Sequence, residues 1–149
     1  MNVSLHGWLR NSWLTEHETS PEEIAALLAL VDRDLANAQI SGLSPDWKLN
    51  IAYNAALQAA TASLAACGFR ATREQHHYRT IQSLALTIDW PAERVNQFDR
   101  YRKKRNIGGY ETAGLVSEQE AGEMHGLAAS LRDEVLVWLR NNHPKLLPR

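Results

Sequence analysis

Apolar residues recur at three- and four-residue spacing along most of the chain, and the breaks between these stripes carry helix start and stop signals. Ser20-Pro21-Glu22-Glu23 sets a capping serine before a proline at the first helical position, with a glutamate placed for a capping box. Ile24, Leu27, Leu28, Val31 and Leu35 then form one apolar face that stops near Gly42. Ser44-Pro45 opens a second helix running to about Gly68, with Leu49, Ala52, Tyr53, Ala56, Ala60, Leu64 and Cys67 on one side and alanine on the others. Small side chains all round predict a central helix that its neighbours approach closely. A third helix is expected from about Arg73 to Ile88, with a stripe of His77, Ile81, Leu84, Ala85 and Ile88. The last opens on the capping box Ser117-Glu118-Gln119-Glu120, buries Ala121, Met124, Ala128, Leu131, Val135 and Leu139, and ends at Pro144. The first fifteen residues, with Trp8 and Trp13, suggest a short helix. No segment shows period-two alternation between hairpin turns. The expected fold is all-α: an up-and-down bundle of four long helices plus one or two short ones, in a single domain spanning residues 1–149.

One helix breaks the apolar pattern. Trp90-Pro91 reorients the chain into a segment whose inner stripe begins Ala92, Val95, Phe98 and then turns polar, with Asp99, Arg102 and Asn106 in the same sector and Arg105 at its edge. Charge and amide aimed at a core need a partner there. Arg100, Lys103 and Lys104 fall on the opposite side, and Gly108-Gly109 is read as the helix stop. A polar stripe that a single chain leaves uncompensated predicts a symmetric dimer across the 91–110 helix.

Composition adds little until charge is mapped. The hydrophobic share of 44% and charged share of 22% over 149 residues are ordinary for a globular protein. Residues 100–105 hold five of the sixteen Lys and Arg residues, so the remainder carries −6 against −1 for the whole chain. That excludes coating of nucleic acid by overall charge and leaves one concentrated basic patch, with the aromatic Tyr101 inside it as phosphate-and-base surfaces often require. The single cysteine, Cys67, forms no disulfide within the chain, and neither a signal-peptide layout nor a membrane-length apolar run is present. A cytoplasmic protein is expected.

Other candidates have plainer readings. His76 and His77 are adjacent, about 100° apart on a helix, and are not expected to share a face or bind a metal. His77 heads an apolar stripe and reads as a core histidine, or else as a proton donor near the polar cluster. Cys67 reads as packing, the five tryptophans as core and contact residues, and Gly108-Gly109 lacks the lysine of a phosphate loop. No cofactor is implied.

Arg105-Asn106-Ile107-Gly108-Gly109-Tyr110, late in a helical bundle, resembles the arginine, polar residue, spacer and histidine of the HEPN domains. The likeness extends to helix order and to the Tyr53-bearing alanine-rich helix, over about residues 20–142. It implies a homodimer with motif helices face to face, and membership among metal-independent endoribonucleases of toxin–antitoxin or defence systems, partnered in some cases by a nucleotidyltransferase-type antitoxin. In that family the 2′-hydroxyl of RNA is the nucleophile, the histidine assists proton transfer and the arginine steadies the phosphate. The resemblance therefore assigns catalysis to Arg105, Asn106 and Tyr110, RNA contact to Arg100, Arg102, Lys103 and Lys104, and support to Asp99 and His77. Tyr110 stands where the histidine is expected, and a phenol is protonated at neutral pH. Two alternatives stay open: a non-catalytic relative that binds nucleic acid or a protein partner, and a helical adaptor whose arginines form structural ion pairs.

Overall fold

A computed structural model describes residues 4–107 and 116–147. The chain runs α1 (Leu5–Arg10), β1 (Leu14–Glu16), α2 (Pro21–Asn37), α3 (Pro45–Ala66), β2 (Phe69–Ala71), α4 (His76–Gln82), α5 (Leu84–Thr87), α6 (Ala92–Ile107), α7 (Glu118–Asn142) and a 3-10 turn, Pro144–Leu146. The all-α expectation holds at the level of class. Among the described residues, no helix is long and apolar enough to cross a membrane.

Helix α3 is central because its sequence leaves it no exposed apolar stripe to prefer. Ala52, Ala55, Ala56, Ala59, Ala60 and Ala62 are all fully buried, and the helix packs against α2, α4, α5, α6 and α7. The long helices start where their caps demand. The hydroxyls of Ser20, Ser44 and Ser117 accept from the backbone N–H groups of Glu23, Trp47 and Glu120. The box at Ser117 is complete, with Glu120 accepting from the Ser117 N–H in return. At Ser20 it is only half formed. The Glu23 carboxylate instead accepts the Thr19 hydroxyl at 2.6 Å and meets His17 Nε2 at 2.7 Å, which holds its pKa below the usual value.

Three departures from the expected pattern each rest on hydrogen bonding that hydrophobic periodicity does not encode. First, β1 and β2 pair antiparallel, Leu14 opposite Ala71 and Glu16 opposite Phe69. Three residues each are too few for a visible alternation. This ribbon seals a satellite core of Trp8, Leu14, Leu64, Phe69 and Ala71. Second, the helix expected from Arg73 begins at His76, since Thr72 is held to the Trp13 carbonyl by its N–H and hydroxyl and Gln75 turns left-handed at φ 54°. Third, this helix breaks at Ser83. The Thr80 carbonyl, which a continuous helix would offer to the Leu84 N–H, accepts the Ser83 hydroxyl at 2.6 Å. Ala85, past that break, is exposed rather than core, as is Ala92 at the head of α6.

Candidate functional site

Asp99 and Arg102 of the α6 stripe lie partly buried and pair with each other. Asp99 is 8% exposed and accepts Arg102 Nε at 2.7 Å, with Lys103 Nζ 3.6 Å from its other oxygen. Tyr101 is not an exposed stacking ring but a core residue, 7% exposed, whose hydroxyl donates to Glu123 at 2.9 Å. Burial, and then that carboxylate, push its pKa up to about 12.

Arg102 and Arg105 are laid against aromatic faces supplied by other helices. The Arg105 guanidinium carbon is 5.1 Å from the centroid of Tyr53 on α3, and that of Arg102 is 5.4 Å from Tyr78 on α4. Such stacking holds a guanidinium flat while leaving its edge N–H groups to bind an anion. Asp99 fixes Arg102 through Nε, and the terminal nitrogens of Arg102 have no partner among the described residues. Between α4 and α6 lies an open groove of about 550 Å³ lined by Arg73, Gln75, His76, His77, Tyr78 and Arg102.

Both histidines belong to this groove, contrary to the expectation that neighbours on a helix diverge. They fall in the first turn of α4, directly after the left-handed Gln75, and their ring centroids are 6.1 Å apart. His76 Nδ1 donates to the Ala71 carbonyl at 3.0 Å, so the end of β2 fixes that ring. His77 Nδ1 is 3.2 Å from the Tyr53 hydroxyl. Burial lowers the pKa of His77, and Arg105, His76 and Arg102 push it the same way. Tyr53 itself is buried against Phe98 in an edge-to-face pair, ring centroids 5.6 Å apart. That burial raises its pKa to about 12 against the opposing pull of Arg105 and Arg102.

The remaining expected site residues are placed differently. Arg100 is exposed, Lys103 lies 3.6 Å from the Asp99 carboxylate that Arg102 also holds, and Lys104 bridges to Glu120 at 3.3 Å. Tyr110 and the Gly108-Gly109 stop lie outside the described residues, as does the side chain of Asn106. Arg73, His76 and Tyr78 were missed as site residues. The dipeptide His76-His77 beside Tyr78 and Arg79 was the available signal, but only the β2–α4 junction turns both imidazoles to one side. Cys67 is half-buried at the end of α3, and burial raises its thiol to about 11, as suits packing. Among the described residues, no three His, Cys, Asp or Glu side chains gather to hold a metal ion. Compared with known protein families, curated proteins and solved structures, the chain finds no match in any of the three.

Proposed function

We propose that this chain is a HEPN-like RNA-binding protein whose groove between α4 and α6 takes the phosphate backbone of a single strand. One observation carries the reading: two guanidinium groups, Arg102 and Arg105, are preset on the faces of Tyr78 and Tyr53 beside a groove also lined by Arg73 and two imidazoles. Guanidinium groups bind phosphate bidentately, and the half-buried Tyr78 lines the same groove. The resemblance of Arg105-Asn106 to the HEPN motif supports RNA as the ligand and a homodimer as the assembly.

Fluorescence anisotropy with a labelled single-stranded RNA tests the proposal. Wild type binds, and Arg102→Gln with Arg105→Gln weakens binding at least tenfold, about 1.4 kcal/mol. Failure of wild type to bind at a salt concentration of about 50 mM, where phosphate contacts are strongest, overturns it. A protein-binding adaptor is the second reading, favoured by Trp47 at the start of α3, whose ring is 62% exposed.

A further inference from the structure

The groove between α4 and α6 does not end at His76. Arg73 and His76 also line a second hollow, of about 440 Å³, whose other walls are Thr15, Arg70, Ala71 and Thr72. Two residues common to both make one continuous surface, running from Arg102 on α6 past the start of α4 to the β1–β2 ribbon. Strand pairing explains why Arg70 faces it. Leu14, Phe69 and Ala71 are buried under the ribbon, so alternation turns Arg70 and its register partner Thr15 to the outer face, where both are exposed. The joint between the hollows is held at two points: His76 Nδ1 donates to the Ala71 carbonyl at 3.0 Å, and the Thr72 hydroxyl to that of Trp13.

Charge sets this surface apart. The residues lining the two hollows include Arg70, Arg73 and Arg102 and no carboxylate. Among the described residues Arg70 and Arg73 make no ion pair, whereas Arg33, Lys48, Lys103, Lys104 and Arg132 are each opposed by an acid. The Glu23 carboxylate feels Arg70 only after Thr19 and His17, which bond to it directly. Exposed, unpaired cations along a concave path, in a chain of net charge −1, fit a string of phosphates better than one isolated anion. The path also has an end. Next along the ribbon, Glu16 and Glu18 line a separate hollow with His17, Gly68 and Phe69, so a polyanion that passes Arg70 meets carboxylates.

We propose that the hollow at the ribbon is a second phosphate subsite, with Arg70 as its outer cation, so that an RNA strand bound in the α4–α6 groove continues over Arg73 and His76 onto the β1–β2 ribbon. This rests on the reading of the groove as an RNA site and extends it to a surface that no residue of the basic run 100–105 lines. Arg73 sits between the subsites and serves both. The ribbon thereby does more than seal the satellite core: it carries a guanidinium to the end of the groove.

The test is the anisotropy of a labelled single-stranded RNA of about twelve nucleotides, a length that grooves of this kind take, over a series of salt concentrations. Arg70→Gln flattens the slope of log affinity against log salt by about 0.7, one phosphate contact, and weakens binding throughout. Arg140→Gln removes the same charge from an exposed position on α7 that lines neither hollow, and leaves the slope unchanged. Thr15→Glu sets a carboxylate directly opposite Arg70 across the ribbon and gives a loss like that of Arg70→Gln. All three positions are exposed, and a wild-type urea midpoint shows each variant folded. Equal slopes for wild type, Arg70→Gln and Thr15→Glu, while Arg102→Gln with Arg105→Gln still weakens binding, overturn the second subsite and leave the groove reading standing. An equal change in Arg140→Gln and Arg70→Gln also overturns it, since overall charge alone would then govern. Absence of RNA binding by wild type overturns both proposals.

Discussion

Tyr53 shows how much one side chain can organise at this site. Its ring packs edge-on against Phe98 of α6, its face receives Arg105, and its hydroxyl donates to His77 on α4. Tyr53→Phe removes only the last of these. The expected cost is about 1 kcal/mol in urea unfolding, with Arg105 still stacked and RNA affinity little changed. A loss above about 3 kcal/mol would mean that the ring itself had moved, as truncation to alanine does. The same contact sets a pH signature. His77 titrates below its ordinary 6.5 because burial, Arg105, His76 and Arg102 all disfavour its charged form. The unfolded chain then binds a proton more readily, so stability is full above that value and falls as pH drops through the folded pKa. In His77→Gln this decline is absent. The stability difference between wild type and variant should shift in favour of the variant from about pH 7 to pH 5, and a constant difference would show that His77 is not the titrating group. In sequence, Tyr53 and His77 were legible as stripe residues, and His77 also as a supporting site residue, but not as partners, because 24 positions separate them and nothing local joins them.

At the scale of elements, legibility tracks how local the governing interaction is. Ser20, Ser44 and Ser117 announce helix starts through bonds spanning three residues, and the structure begins α2, α3 and α7 directly after them. The β1–β2 ribbon joins Leu14 to Ala71 across the whole of α2 and α3, and the break at Ser83 turns on which donor reaches one carbonyl. Neither leaves a periodic trace. The α6 stripe was legible up to its direction but not its partners: Asp99 and Arg102 are inward as spaced, whereas Tyr101 is drawn into the core by Glu123 on α7. Alanine in α3 is the element-scale feature most open to test. Ala56 is fully buried in a helix enclosed by its neighbours, so Ala56→Leu should overpack the interface and cost about 1–3 kcal/mol in chemical denaturation. Ser117→Ala, which removes one hydrogen bond of the complete capping box and packs nothing new, should cost about 1 kcal/mol. The reverse order of these two losses would show that α3 is loosely held.

Across the whole molecule, charge separates into a set that is spent and a set that is available. The chain outside residues 100–105 carries a net −6, which disfavours a polyanion on average and gives weight to the positive charge concentrated on α6. Within the basic run, Lys104 faces Glu120 and Asp99 is shared by Arg102 and Lys103; Arg102 also lines the groove, with Arg73 from outside the run beside it. Counting charge along the sequence weights all of these alike; the structure ranks them. For single-stranded RNA, each phosphate contact adds about 0.7 to the slope of log affinity against log salt. Replacing Arg73 and Arg102 together by glutamine should therefore flatten the slope by about 1.4 and weaken binding at every salt concentration. Replacing Arg100, Lys103 and Lys104 together removes more formal charge yet should flatten it less, because none of the three lines the groove. Anisotropy titrations at four or five salt concentrations read both slopes directly. If the triple variant loses more slope than the double, the strand follows the outer edge of α6 instead of the groove.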